Sequence, residues 1–388
     1  MSLPGRTAAV AALLSALVCI SPAGAQTPAP SSTTPSVAVG GVIQADYEAV
    51  TIADATRDRA FFRRLMLVVQ IVATKDWTGQ MQIDVAPSVL GDRVLVRDAY
   101  LRYLGWTPQG LTVTIGNQKL PFSRAALISA SRRGLIERGA PGERPYGTPG
   151  RALAVQIEGR HQDRHVQWAA AVASALHGPD VAEIRIDGLA ESRETWNEGV
   201  LGAGRVEWHP LGNTPRDQGD FARGPLRIVV GAGTYVWQND GDRNLFTTDG
   251  AATSTVFADA DQARGVEVSG GLRGRGFSLD ASWQRIGAHT IDAGFTGGIY
   301  EDGDASCQVT GVESGYMAVP GKLEILGGFD TIDIAARPAL AYRPSFGASW
   351  YVNQHRLKFQ FTHREAFNVL GVRGVRGRTT TLQAQLYF

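Results

Sequence analysis

From Val37 onward, apolar and polar residues alternate with a period of two. In "FSLDASWQ", Phe277, Leu279, Ala281 and Trp283 share one face, and Ser278, Asp280, Ser282 and Gln284 the other. "LKFQFTHR" sets Leu357, Phe359 and Phe361 against Lys358, Gln360, Thr362 and Arg364. "RALAVQIEGR" and "GRVEWHP" repeat the pattern, with Leu153, Val155, Ile157, Val206 and Trp208 on the apolar face. This periodicity predicts strands of roughly eight to twelve residues, each with one apolar side. A soluble β-sandwich also alternates, but its turns come faster, and no helical pattern of useful length interrupts this chain.

The connections have a rhythm of their own. Short ones are expected near 74–77, 106–110, 161–164, 274–276, 319–321 and 353–355, with one of intermediate length at 211–223. They alternate with connections at 50–60, 88–93, 119–150, 175–198, 238–263, 289–305 and 367–376, several of them long, polar and rich in Gly and Asp; 335–337 is a short exception. Counting strands between them gives sixteen, with fourteen or eighteen within reach of boundary shifts of a few residues. Tight turns at one end, longer loops at the other and an even strand count describe an all-β fold, a transmembrane antiparallel barrel. Trp77, Trp106, Trp208, Trp350 and Tyr351 fall near the short-turn ends, where an aromatic girdle meets lipid headgroups. A barrel this wide cannot be filled by its own side chains, so its polar alternate residues are expected to line water. The last strand, "TTTLQAQLYF", points Leu382, Ala384 and Leu386 to lipid and Gln383 and Gln385 inward. A barrel closes that strand against the first, near "GGVIQADYEAV", which removes the free edge an open sheet would leave.

The N-terminus sets the compartment. Arg6, the apolar run "AAVAALLSALVCI" and the small residues before Gln26 predict a secretory signal peptide over 1–25, followed by a Pro/Ser/Thr-rich linker over 26–36 and the barrel over 37–388. Cys19 lacks the small residue expected before a lipidated cysteine, and Cys307 alone cannot form an intrachain disulfide. The whole chain carries 38 basic and 37 acidic residues, so loss of Arg6 leaves it formally neutral, which gives no support to nucleic-acid binding. The basic residues are arginine apart from Lys75, Lys119, Lys322 and Lys358. A Gly-x-Ser-x-Gly nucleophile motif is missing, and the reading is of a protein that is not an enzyme and needs no cofactor. His161 and His165 flank a tight turn without metal-ligand spacing, and "DGDRNLFTTDG" and "YEDGDAS" do not match a calcium loop, so no metal is expected.

Several segments resemble the phosphate-selective porin O and P family. They are "FFRRLMLVVQIVATKDWTGQMQIDVAP", "RDAYLRYLGW", "LTVTIGNQKLPFSRAALISASRRGLIERGAP" and, later, "FGASWYVNQHRLKFQFTH". The resemblance covers 61–150 and 345–388 and implies a sixteen-stranded outer-membrane porin, commonly trimeric, with one loop folded into the lumen. By resemblance, Lys119, Arg124, Arg132, Arg133 and Arg138 are candidates for a constriction that binds anions such as phosphate, and Phe388 is the aromatic read during barrel insertion. Arg64, Arg102, Gln118, Arg205, Arg227, Lys358 and Arg364 are candidate pore-lining residues on inner parity, mixed there with Glu158, Glu207, Asp280, Glu324 and Asp330. The function expected is a passive, water-filled channel for small hydrophilic solutes, with lipid around it and a homotrimer as its assembly. The alternative is a non-transport barrel, adhesin or structural, that binds partners through loops 175–198 and 238–263.

Overall fold

The computed structural model describes residues 34–53, 55–86, 94–161, 165–188, 196–241, 243 and 257–388. The signal peptide and most of the linker lie outside the described residues, as does most of "DGDRNLFTTDG". The strands in chain order are β1 (Ser36–Ile52), β2 (Ala55–Val72), β3 (Trp77–Asp84), β4 (Leu95–Tyr103), β5 (Leu111–Lys119) and β6 (Arg151–Arg160). Then come β7 (Val166–His177), the two-residue β8 (Ile186–Asp187), β9 (Asn197–Trp208), β10 (Arg227–Asn239), β11 (Ala260–Gly274) and β12 (Phe277–Thr290). The last five are β13 (Asp304–Val319), β14 (Leu323–Ile334), β15 (Ala341–Asn353), β16 (Leu357–Phe367) and β17 (Arg376–Tyr387).

Each strand pairs antiparallel with its sequence neighbour, except that β7 continues to β9 while β8 only extends the end of β7. β17 returns to β1 over Val42↔Tyr387 to Ile52↔Gly377, which closes a barrel of sixteen strands. Phe388 completes the seam: its N–H donates to the Gly41 carbonyl at 3.1 Å and its carbonyl accepts from Gly41 N–H at 2.9 Å. Closure leaves no unpaired edge, the condition under which strands can cross a bilayer. Several strands are longer than the alternation suggested, up to the 18 residues of β2. The connection expected at 50–60 is mostly strand instead, because β1 and β2 stay paired to Ile52↔Ala55.

The two faces separate as the period predicts. Outward residues remain exposed and apolar, among them Leu153, Val172, Val200, Val268, Phe346 and Leu382. Trp77, Trp106, Trp208 and Trp350 are half-exposed near the short-turn ends, joined there by Phe277 and Tyr316. Tyr351 departs from that girdle: it points inward, fully buried, and its hydroxyl donates to Glu324 Oε2 at 2.6 Å.

Inward residues do not simply line water. Toward the long-loop ends of β10 to β14, Tyr235, Trp237, Ile286, Val309 and Ile332 are apolar and buried, packed with Ile184, Ile186, Ile299 and Tyr300 from inward-folded connections. The sequence signal is "TYVW" at 234–237, apolar on both parities, as expected where a strand is covered on both sides.

Deleting Phe388 removes both seam hydrogen bonds. The expected outcome is a lower yield of heat-modifiable barrel on refolding into detergent or bilayers, with single-channel conductance unchanged in the barrels that do form. Normal assembly yield would show that the seam does not need this residue.

Candidate functional site

The connection between β5 and β6, residues 120–150, folds into the lumen. Pro121 turns the chain inward, and a single helical turn, α1 (Arg124–Leu127), is capped by Ser123, whose Oγ accepts from Ala126 N–H. Leu120, Phe122, Ile128, Leu135, Ile136 and Ala140 are buried, with Phe122 edge-on to Tyr235 and Leu135 beside Gly328 and Gly347 of the wall. Its buried backbone groups need partners, and the inner wall and the β9–β10 connection supply them. Lys358 Nζ donates to the Arg133 carbonyl at 2.7 Å, Ser349 Oγ to the Gly134 carbonyl at 2.9 Å, and Gln385 Nε2 to the Ser131 carbonyl at 3.0 Å. Gln218 Oε1 accepts from Gly134 N–H at 2.8 Å, Thr362 Oγ1 from Ile136 N–H at 3.2 Å, and Tyr235 donates to the Gly147 carbonyl at 2.8 Å.

Close approach also requires missing side chains. A Cβ on Gly311 would sit 2.6 Å from the Pro141 ring, and one on Gly233 would sit 2.4 Å from the Phe122 carbonyl oxygen.

The charges sort into two arcs. On the β9–β14 arc, carboxylates hold the arginines. Arg124 is buried, with Nε donating to Asp280 at 3.1 Å, Nη1 reaching Glu207 at 3.4 Å and its backbone N–H donating to Glu267 at 2.8 Å. Arg205 Nε donates to Glu207 at 2.9 Å and Nη1 to Glu267 and to the Phe122 carbonyl. Arg273 pairs with Asp280 at 2.7 Å, and Arg343 with Glu143 and Asp330 at 2.9 and 3.0 Å. Arg124 and Arg205 are therefore structural cations, neutralised and closed to solute.

On the opposite arc, a cavity of about 180 Å³ is lined by Arg64, Arg97, Lys119, Arg138, Arg144 and Arg151, with Asp187 as the carboxylate in its lining. Arg144 pairs with Asp187 at 2.7 Å, Arg151 with Asp98 at 2.7 Å and Arg97 with Asp84 at 3.1 Å. Lys119 donates to the carbonyls of Ala126, Leu127 and Ile128 and so caps α1. Arg64 and Arg138 have no carboxylate partner among the described residues: Arg64 donates to Gln44 at 3.1 Å and Arg138 to the Gly142 carbonyl at 3.0 Å. Arg138 Nε is buried and finds no acceptor, as do Nε and Nη1 of the neighbouring Arg133. Burial first, and then the charges of Arg133, Arg64, Arg151 and Arg144, pull Arg138 well below the usual arginine range.

Two β-bulges build this arc. Gln44 pairs with Arg64 and Ala45 with Phe62, so Arg63 is the extra residue and both arginines face inward. Arg63 reaches Glu48 at 3.2 Å and Glu137 at 2.5 Å and also bonds Asp46. For Glu137, burial pushes its carboxyl upward, but Arg63, Arg364 and Arg133 outweigh that and hold it below the usual carboxylate range. In β4, Arg97 and Asp98 together oppose the single Gln82, because Met81 pairs with Ala99 and Ile83 with Val96. Strict alternation assigns one residue of each pair to lipid, so Arg63 and Arg97 were not among the candidates.

The remaining candidates lie apart from this cavity. Arg102 donates to Thr114 at 3.0 Å, and Gln118 is buried on the Thr114 and Ala154 carbonyls. Arg132 lies over the Tyr387 ring, 3.8 Å from Asp217, and Arg227 is exposed at the short-turn end of β10, donating to the Asn213 carbonyl. Arg364 donates to Ser345 at 2.9 Å and borders a second cavity with Glu48, Glu137 and Arg343. Lys358 and Gln385 anchor the loop and do not line water, a correction to the alternation reading: a buried loop takes up the polar parity that an empty lumen would leave wet. His165 Nδ1 bonds the His209 carbonyl at 2.8 Å, and no cluster of three metal-ligating side chains occurs among the described residues.

The sequence model of the family described as phosphate-selective porin O and P matches residues 37–180. That span contains the inserted loop and the cationic cavity, and the late hairpin at 345–388 lies beyond it. No curated protein matches the chain. Among solved structures, the chain is similar to an anion-selective porin from Comamonas acidovorans, with TM-score 0.56, 12% identity, and coverage of 92% of this chain and 100% of that one. It is similar also to the trimer form of OmpT from Vibrio cholerae, with TM-score 0.57, 11% identity and coverage of 91% and 99%. The outer membrane channel DcaP of Acinetobacter baumannii aligns with TM-score 0.56, 12% identity and coverage of 91% and 97%. The fold is that of an outer-membrane porin, the location is the bacterial outer membrane, and both point to a channel rather than an enzyme.

Arg205→Met leaves Glu207 and Glu267 short of a buried partner and frees the Phe122 carbonyl. It is expected to destabilise the barrel by about 3 kcal/mol, read as a lower midpoint of guanidinium unfolding in detergent. Arg227→Gln, at an exposed site, should stay within about 0.5 kcal/mol of the parent.

Proposed function

We propose that this barrel is a passive channel that admits small hydrophilic anions, with phosphate within its range, and that it works as a homotrimer. The observation that carries the reading is the charge imbalance of the cavity bordered by the inserted loop. Six cations face one carboxylate there, and three of the cations, Arg64, Lys119 and Arg138, have no carboxylate partner among the described residues. Guanidinium forks bind oxyanions through two parallel hydrogen bonds, and a positive, partly dehydrated constriction raises local anion concentration while repelling cations. The loop sets the size of what passes by filling the lumen, and the surplus charge sets its sign. Diffusion down the solute's own gradient drives passage in this reading. The trimer form of the Vibrio cholerae relative supports the assembly, and the Comamonas acidovorans relative supports the anion preference.

The test is reversal potential across a planar bilayer under a salt gradient, repeated with phosphate as the anion. The parent is expected to favour anions. One charge about 6–8 Å from the permeating ion is worth about 0.5–0.7 kcal/mol at the dielectric of water. Arg138→Gln and Arg64→Gln should therefore each lower the anion-over-cation permeability ratio roughly threefold or more, while Arg227→Gln leaves it unchanged. A parent without preference or with cation preference would overturn the anion reading, and absence of stepwise conductance would overturn the channel in favour of a partner-binding barrel.

A further inference from the structure

The lipid-facing wall carries a second cationic feature unconnected to the lumen. β11 and β12 present Val266, Val268, Leu279 and Trp283 outward, as a membrane wall should. On the same parity, Arg264 and Arg285 also point out, and both are exposed. Arg264 pairs across the ladder with Gly287, and Val266 with Arg285, so the two arginines are diagonal neighbours. That places their Cα atoms roughly 7–8 Å apart. Neither makes a hydrogen bond or ion pair to any described side chain.

Between them the wall is notched. A groove of about 610 Å³ runs over β10 to β13, and its floor is made of small outward residues, Thr234, Gly287 and Ser306. A Cβ on Gly287 would have only the Ala305 carbonyl, at 3.6 Å, within contact range, so the notch is open outward. His289 and Asp304 bond each other at the upper lip, so the one carboxylate that borders the groove has a partner there, though it stays exposed. Asp333 faces out two strands away from Arg285, through Gln308, and does not line the groove.

Height along the wall decides what could fill it. Arg285 is eight residues above Phe277, and Arg264 ten residues above Gly274, both counted from the short turn at 275–276. At about 3.3 Å per residue and a tilt of about 40°, this is roughly 20–25 Å, the full height of a barrel's apolar band. The short turns mark the periplasmic side, so both guanidiniums stand where the headgroups of the outer leaflet begin. Two like charges one diagonal apart, with no ion pair to a described side chain, standing above outward Val266 and Val268, are complementary to an anionic headgroup with acyl chains lying on the valines below.

We infer that the groove bounded by Arg264 and Arg285 binds the phosphate of a phosphorylated glycolipid of the outer leaflet, with the diagonal arginine pair as the recognition element. The assignment is independent of which solute the lumen passes.

The experiment compares the parent barrel with the Arg264→Gln, Arg285→Gln double variant. Both are purified in detergent, exchanged into lipid A carrying two phosphates or into its dephosphorylated form, and scored for retained glycolipid by native mass spectrometry. Loss of two charge-assisted contacts is expected to lower retention of the phosphorylated lipid roughly tenfold or more, with the dephosphorylated lipid held weakly by both proteins. Conductance and reversal potential, measured on the same samples, should match the parent because neither arginine faces the lumen. Equal retention by parent and variant, or equal retention of the two lipids, would overturn the assignment. Displacement of the lipid by millimolar inorganic phosphate would overturn it in favour of a free-phosphate site. Conversion of an oligomer to monomers by the double variant would overturn it in favour of an interface between copies of the chain.

Discussion

A peptide segment placed inside a closed wall must have its amides and carbonyls satisfied there, and most of this barrel's interior answers that demand. The 120–150 loop buries backbone from Phe122 to Thr148, and each buried carbonyl without a partner would cost on the order of 1–3 kcal/mol. Lys358, Ser349, Gln385, Gln218, Thr362 and Tyr235 are the answers, drawn from the adjacent strands β15 to β17, from β10 and from the β9–β10 connection. The loop is thus positioned from several strands at once, and its geometry follows the barrel's rather than the fluctuations of a tethered segment. Gly233 and Gly311 belong to the same requirement, since they let the loop backbone approach the wall.

The same packing decides which charges are available. Arginines drawn against the β9–β14 arc meet Glu207, Glu267, Asp280 and Asp330 and are neutralised as they are buried; a buried cation without such partners would be far more costly. Carboxylates committed there cannot also screen the far side of the lumen. A chain with nearly equal basic and acidic counts can therefore hold a cavity with six cations and one carboxylate. Net charge describes the whole molecule, and selectivity depends on its distribution across about one Debye length.

The barrel was legible because its evidence is periodic. Alternation marked the strands, connection lengths marked the two ends, and the outward set Leu153, Val206, Phe277, Phe359 and Leu382 lies where parity put it. The inner face was less legible because polarity alone does not distinguish a side chain that meets water from one that meets a buried carbonyl. Lys358 reads as pore-lining by parity and is an anchor by geometry. The covered interior near Tyr235 and Trp237 had a signal in its doubly apolar stretch, whereas the pairing of Arg124 with Glu207 and Asp280 depends on segments far apart in sequence, and no local pattern reports it.

The bulged arginines, by contrast, had a physical signal that strict alternation overlooks. Arg63-Arg64 and Arg97-Asp98 are adjacent charged residues inside membrane strands, so perfect alternation would force one of each pair into lipid. At mid-bilayer that costs about 2–4 kcal/mol for arginine. A bulge turns both residues inward at the loss of one ladder position, and here each turned arginine gains a carboxylate or amide partner and Asp98 gains Arg151. Adjacent charges in an otherwise alternating strand are therefore an argument for a bulge. Arg264 and Arg285 mark the limit of that argument: each is the lone charge on the outer parity of its stretch, each stands near the top of the apolar band, and exposure there costs only about 0–1 kcal/mol. The wall keeps its register around them, which is why they remain outside, available to the leaflet.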